Sequence, residues 1–434
     1  MESIVSRMKS GVLCAVLLVL QASLFTSCQN DDDDAFDVPA SQRLQSEMTR
    51  AKQTLRSAQY GWEMEYYPGG DLAYGGLVYT VKFDSLTCTV GCSLIPDSTV
   101  TSYYRITNDN GPVLTFDTYN ALLHYYSTPS GSEYEAKGGE FEFVIDSIAD
   151  DFISLYGKKT RNTVCMRRLT APADDYARQT VNIFDNFVDS IRGVIGGTEV
   201  RAKCSPTTKR IVMGNVEMPF AYTNRGIRLY RPLNIGGERV QSFDFDTETN
   251  ILTCTDPGQE EIQLEGIPYD AGTMSYSKYE GDYNLVYQGA TVQVHLAPNR
   301  LEGTYLMQGL NPKYDLTLHY DVDTGHLTLG SQVIGDYNGN TVYWVCYDYD
   351  NGLLSLSDEG QFTIKWNQNR FYPMFNFSAT NPRTLNCTGG LLIYLYYDEE
   401  GTLRASVLDD SSWMTGGSAQ FRALKSLNRR TRIE

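Results

Sequence analysis

Apolar residues recur at helical spacing in two stretches of the chain, and almost everywhere else they alternate or bunch into short runs. Over residues 39–59, Leu44, Met48, Ala51 and Leu55 share one stripe, while Arg43, Gln45, Glu47, Arg50, Lys52 and Arg56 take the other faces. That pattern predicts one amphipathic helix of about five turns. Over residues 172–189 a second stripe joins Tyr176, Val181, Phe184 and Val188. Asp174 or Asp175 stands near its start, where the helix dipole favours a carboxylate. After the first helix, residues 62–169 form short runs rich in Tyr, Val, Phe and Thr. Turn signals such as Asn110-Gly111-Pro112, Pro129-Ser130-Gly131 and Gly138-Gly139 break them. This is the signature of a β-meander, and it predicts closure into a barrel or sandwich. Residues 191–266 read the same way after the second helix. The order of helix then meander therefore occurs twice, and one local pattern repeats with it. Tyr104-Arg105-Ile106-Thr107-Asn108 with the run that starts at Gly111 echoes Ala221-Tyr222-Thr223-Asn224 with the run that starts at Gly226, as in a degenerate duplication.

From residue 276 onward there is no helical stripe. Val292, Val294 and Leu296 alternate with Gln293 and His295, and Leu316, Leu318, Tyr320 and Val322 alternate with Thr317, His319 and Asp321. A period of two with one wet face means antiparallel sheet. Ile393, Leu395 and Tyr397, a turn over 398–401, then Leu403, Ala405 and Val407 predict a hairpin, and residues 420–427 supply a closing strand before a basic tail. The fold class is mainly β: multi-domain antiparallel meanders, barrel, lipocalin-like or sandwich, with an amphipathic helix before each of the first two β regions. The expected domains are 39–170, 171–275 and 276–434.

Residues 1–38 carry a different message. Arg7 and Lys9 precede an apolar run over residues 11–20 that is too short to span a bilayer, which is the form of a secretory signal. Ser27-Cys28 follows directly and looks like a bacterial lipobox, with Cys28 acylated as the mature N-terminus. Residues 1–27 are thus expected to be a signal peptide and 28–38 an acidic tether. The aspartates 31–34 resemble a signal for export to the outer face of an outer membrane, and their mutual repulsion would keep the tether extended. The expected location is the outer membrane, held through the lipid anchor alone and facing the exterior.

Net charge narrows the partners: at −17 the surface repels nucleic acid and anionic lipid. Apart from Cys14 and Cys28, seven cysteines remain, at 88, 92, 165, 204, 254, 346 and 387. Seven cannot all pair, so at most one or two disulfides are expected. Cys88 and Cys92 lack a second pair at zinc spacing, and no metal or cofactor is expected.

The four histidines, His124, His295, His319 and His326, stand in no HExxH pattern, and neither GxSxG nor P-loop spacing occurs. No catalytic residue is assigned. Asp321-Val322-Asp323-Thr324-Gly325 and Asp348-Tyr349-Asp350-Asn351-Gly352 read as tight reversals and lack the glycine position of a calcium loop. Tyrosine is the compositional oddity, with 31 residues, several of them paired, as in Tyr66-Tyr67 and Tyr125-Tyr126. Aromatic platforms with a polar tip suit sugars and extended peptides, although tyrosine is also a good strand residue. The densest stretch, residues 111–127, holds Asp117, Tyr119, Asn120, His124 and Tyr125, all within 116–127. Together with Tyr66 and Tyr67 these are the candidate ligand-binding residues, and a core histidine bonded to backbone is the structural alternative at His124.

Gly61-Trp62, Tyr66-Tyr67-Pro68, Phe116-Asp117-Thr118-Tyr119-Asn120, His124-Tyr125-Tyr126, Gly138-Gly139-Glu140-Phe141-Glu142-Phe143 and Leu155-Tyr156-Gly157-Lys158-Lys159 together resemble a Bacteroidota family of surface lipoproteins of unknown function. The resemblance implies association with a starch-utilisation-type outer-membrane importer and its lipoprotein lid, and it brings no catalytic residue. The expected function is therefore an accessory binding component of nutrient import, capturing peptide or glycan or packing against the importer. A hydrolase with an unrecognised carboxylate pair and a lipocalin-like small-ligand binder are the alternatives. An exposed tyrosine strip favours the first, carboxylates facing a cleft the second, and an apolar pocket the third.

Overall fold

The computed structural model describes residues 39–431 apart from 110, 130–135, 271–272, 358–359, 368–372, 409, 411 and 416. Cys28 and the aspartates 31–34 lie outside the described residues. The chain divides into two compact units, residues 1–50 and 51–434, and the β structure lies in the second.

Helix α1 (Ala40–Ser57) matches the first stripe, and Ala51 and Leu55 are buried. The Trp62 indole N–H donates to Leu55 O at 2.8 Å, which fastens the helix end to the first strand. Nine antiparallel strands follow. From one edge to the other they run Ile95–Tyr103, Thr87–Cys92, Leu77–Phe83, Trp62–Tyr66, Thr163–Arg168, Phe152–Gly157, Glu142–Ile148, Pro112–Thr115 and Arg105–Asn108. The two edge strands are separated in sequence by Tyr104 alone, yet they do not pair. The expected closure of this region is thus corrected to an open half-barrel. Residues 116–127 supply the reason: after Pro112–Thr115 the chain turns across the opening and buries Phe116, Leu122, Leu123 and Tyr126. Tyr79 Oη donates to Leu122 O at 3.1 Å, and Asn120 Nδ2 donates to Val100 O, on the far edge, at 3.2 Å.

Helix α2 (Ala173–Asp185) carries Asp174 and Asp175 in its first turn and buries Tyr176, Ala177, Thr180, Ile183 and Phe184. The eight strands after it, from Ser190–Ile195 to Gln263–Ile267, close in sequence order, because the first pairs the last with Ser190 opposite Ile267. The echoed segments are hairpins in both regions, Arg105–Asn108 with Pro112–Thr115 and Val216–Tyr222 with Gly226–Ile235.

A second closed barrel is built from Gly281–Tyr287, Ala290–Asn299, Thr304–Gln308, Leu316–Tyr320, Leu327–Gly330, Gln361–Asn367, Met374–Ala379 and Ser426–Arg429. The closing strand expected over 420–427 is shifted to Ser426–Arg429, because Gln420–Phe421 pairs instead with Gly389–Tyr397. Between its strands the chain builds another sheet, ordered Gln332–Tyr337, Asn340–Asp348, Gly389–Tyr397, Leu403–Val407, with the short strands Leu353–Ser355 and Gln420–Phe421 beside it. Asp321 and Asp348 turn their carboxylates into their own loops: Asp323 N–H donates to Asp321 Oδ1 at 2.9 Å, and Asp350 N–H to Asp348 Oδ1 at 3.0 Å. Both groups hold reversals, as the aspartate-to-glycine spacing requires.

Candidate functional site

The polar groups of residues 116–127 are engaged by the turn they build. Asn120 is fully buried; its side chain donates to Val100 O and Ser102 Oγ and accepts from Leu122 N–H at 3.2 Å. His124 is buried, with Nδ1 at 3.1 Å from Asn120 O and the ring stacked on Phe141. Burial lowers its pKa, and the Asn120 backbone bond opposes the shift only in part. Asp117 pairs with Arg105. Tyr125 Oη donates to Glu302 Oε1 at 2.7 Å, and Tyr126 Oη to Leu301 O at 3.0 Å, so the segment also seats on the last barrel. Tyr119 stands in solvent, 64% exposed, with Asp117 and Thr118 exposed beside it. The position of Asn120 is corrected accordingly: it is interior, because a half-barrel left open needs its edge carbonyls satisfied, while His124 takes the structural alternative of a core histidine bonded to backbone.

Tyr66 and Tyr67 are interior as well, on opposite sides of the first sheet. Tyr66 Oη accepts Glu140 N–H at 2.7 Å. The Glu140 carboxylate in turn accepts Lys159 N–H and Thr160 N–H at 2.7 and 2.6 Å. Any Cβ on Gly157 would sit 2.4 Å from that carboxylate, which is why glycine stands there. Tyr67 Oη donates to Glu65 Oε1 at 3.0 Å within a buried ion cluster. Glu63 and Glu65 point away from the face that carries Trp62, Met64 and Tyr66, toward the middle barrel. Arg228 Nη1 reaches both, at 3.0 and 2.9 Å, and Arg167 Nη1 reaches Glu65 at 3.2 Å. Burial alone would lower the Arg228 pKa, but the two carboxylates raise it. This is the carboxylate pair that a hydrolase reading would select. With both members clamped by guanidinium groups between two packed β regions, it is a fastening rather than an acid and a base facing a cleft.

The interior of the middle barrel is lined by Ile191, Val200, Met218, Leu229, Val240, Phe243, Leu252 and other apolar residues. At one end Phe187 packs on Phe220, Tyr222 and Phe245. The free space inside is ≈ 40 Å³, far below the roughly 300 Å³ or more of a site for a small organic ligand. The barrel is filled by its own side chains.

An apolar stripe also lies on the six-strand sheet that contains Asn340–Asp348 and Gly389–Tyr397. Val342, Trp344 and Cys346 turn to the main core, and Tyr343, Val345 and Tyr347 turn the other way. Ile393 stands opposite Tyr343, and Leu391 opposite Val345. Across the hairpin Val407 stands opposite Ile393, and Leu403 opposite Tyr397. This stripe is a separate cluster, centred on Val345, Leu391 and Ile393. It runs out into solvent at Tyr397, 73% exposed, and Leu403, 53% exposed. Strand Leu403–Val407 has a partner on one side only among the described residues. The hairpin forms in the register that the alternation requires, but its apolar stripe turns away from the main core. The signal was present in Leu391-Leu392-Ile393-Tyr394-Leu395-Tyr396-Tyr397: an unbroken apolar run has two greasy faces, and only one can meet the core beneath.

The model of a family described as Domain of unknown function (DUF4302) matches residues 32–249, half of the chain. A second model, DUF4987, also described as a domain of unknown function, matches residues 255–393. No curated protein matches the chain.

Proposed function

The chain belongs to the DUF4302 family, and from that premise we propose that it is a lipoprotein of the outer membrane, anchored at Cys28 and facing the exterior, that binds extended chains for a nutrient importer. The observation that carries this reading is the exposed end of that stripe, Tyr397, Leu403 and Val407, on and beside the one-sided strand Leu403–Val407. An open strand edge offers N–H and C=O groups at peptide spacing, and the stripe beside it offers apolar contact for alternate side chains. Peptide fits this pairing better than glycan, because a sugar chain cannot continue the ladder. The importer and its lipoprotein lid are the partners proposed from the resemblance.

Binding of fluorescently labelled casein peptides to the full chain, measured by anisotropy, tests the reading, with maltoheptaose as the glycan arm. Tyr397→Ala and Leu403→Asp should each weaken peptide binding about tenfold, since each removes apolar contact worth about 1.4 kcal/mol. Melting temperatures should hold, because both side chains are largely exposed. Unchanged peptide affinity in both variants defeats the proposal. Protease shaving of intact cells tests the location: Cys28→Ala should release the protein from membranes, and alanine at 31–34 should leave it anchored but protected.

A further inference from the structure

The sheet ordered Gln332–Tyr337, Asn340–Asp348, Gly389–Tyr397 and Leu403–Val407 has two outer edges, and they are built differently. At Gln332–Tyr337 the register slips between Val333 and Gly335, and the Tyr314 ring lies so close that any Cβ on Gly335 would sit 2.6 Å from it. A bulge and a covering ring both hinder pairing with another chain. The half-barrel guards its edge too, through the bond from Asn120 to Val100 O. Leu403–Val407 has no such device. It holds no proline and no lysine, and it pairs with Gly389–Tyr397 in unbroken register. Its one charge, Arg404, is drawn back by Asp398, Nε to Oδ2 at 2.8 Å. Every residue of the strand except the half-buried Ser406 is exposed.

Backbone direction decides what the free side offers. Leu408 N–H donates to Leu392 O at 3.0 Å just past one end of the strand, and Asp398 N–H donates to Thr402 O at 3.0 Å just before the other. Successive residues of a strand turn their N–H and C=O to opposite sides, so Thr402, Arg404, Ser406 and Leu408 bond inward, to the hairpin's first strand. Leu403, Ala405 and Val407 therefore present N–H and C=O outward, and among the described residues no strand meets them.

This edge is complementary to itself. With two copies antiparallel and Ala405 at the two-fold axis, Leu403 of each copy faces Val407 of the other, and Arg404 faces Ser406. Each outward N–H then meets an outward C=O, and no like charges stand opposite. Sliding Arg404 onto the axis would instead set two guanidinium groups face to face. Leu403 and Val407 share the face of Tyr397 and Ile393, so the apolar stripe continues across the axis. The contact is isologous, and it leaves only the bulged edges at the ends of the combined sheet, so growth stops at two copies.

We propose that two copies of the chain associate through Leu403–Val407, which joins their six-strand sheets into one across a two-fold axis at Ala405. A captured peptide would use the same backbone groups, so peptide and second copy exclude each other, yet the dimer is read with no peptide present. One short strand pair buries little surface, which places the contact among weak, reversible interfaces with a Kd on the order of 10 µM.

Sedimentation equilibrium of the full chain from about 1 to about 200 µM tests this, a range that brackets such a Kd. The mass should rise reversibly from monomer to dimer and no further. Ala405→Pro removes an N–H that the hairpin does not use, and it should raise Kd at least tenfold while the melting temperature holds. Val407→Lys should do the same with the backbone left intact, which covers the case in which proline disturbs the strand. Residues opposite one another in a hydrogen-bonded pair have Cα atoms about 5.5 Å apart, within disulfide reach. Mild oxidation of Ala405→Cys should therefore give a covalent dimer, and Leu353→Cys, also exposed on a strand, should not. A wild-type chain that stays monomeric, assembly beyond the dimer, an unchanged Kd in both Ala405→Pro and Val407→Lys, or equal cross-linking of the two cysteine variants would each overturn the proposal. A monomer that still binds casein peptides defeats the dimer alone, and a dimer that binds none defeats the peptide reading alone.

Discussion

Lys209 is fully buried, where three of the β regions meet. Its ammonium reaches two carbonyls, Leu301 O at 3.2 Å and Thr207 O at 3.4 Å, and so among the described residues lacks an acceptor for its third proton. Burial lowers its pKa from 10.5 to about 8, and the neighbouring Cys92 offsets this slightly. At pH 7 the folded protein still holds the charge, and holding it there rather than in water costs about 3 kcal/mol. Lys209→Met keeps the length of the side chain and removes that cost. The sign follows from proton counts: between pH 8 and 10.5 the unfolded chain binds more protons at this site than the folded one, so the native protein gains stability as pH rises through the window. The methionine variant should therefore be more stable below pH 8, and its advantage should shrink by about 1 kcal/mol between pH 7 and 9. Urea unfolding of both proteins at pH 7, 8 and 9 measures the difference, and taking the difference cancels the titration of the shared cysteines and tyrosines. An advantage that stays constant, or that widens with pH, would refute the assignment of a charged lysine to this junction.

Arg228→Met should destabilise by about 3–5 kcal/mol in urea unfolding, because Glu63 and Glu65 would remain buried with Arg167 as their nearest cation. A loss under 1 kcal/mol would show that water reaches the cluster. Asn120→Ala should cost roughly 2–4 kcal/mol, since it strips partners from Val100 O, Ser102 Oγ and two backbone N–H groups. Tyr119→Ala should lie within about 0.5 kcal/mol of wild type, and equal losses for the two variants would contradict the plug described for residues 116–127.

Both helices and the mainly antiparallel character were legible because each rests on a periodicity that a single segment displays by itself. Leu55 and Phe184 are buried where their stripes put them. Closure was less legible, because it depends on which strands meet at the ends. Ser190–Ile195 finds Gln263–Ile267, while Ile95–Tyr103 never finds Arg105–Asn108. Residues 116–127 were rightly singled out as unusual, but hydrogen-bonding density alone does not distinguish a ligand site from a plug. What decided it was the position of the carbonyl of Val100, twenty residues away. Glu63 and Glu65 drew no notice as charged residues in a strand, because their partner Arg228 lies on a different β region.

The last barrel closes through Ser426–Arg429, which joins Gly281–Tyr287 on one side and Met374–Ala379 on the other. Tyr283 and Arg429, opposite one another in that seam, are 146 residues apart along the chain, so forming it carries a large loop-closure entropy. During synthesis the strands from Gly281 onward must wait, their first edge unpaired, until Arg429 has emerged. Over that interval a chaperone has a defined target, the exposed edge of Gly281–Tyr287, and a ribosome-stalled or clipped chain lacking the seam would present the same edge to other chains.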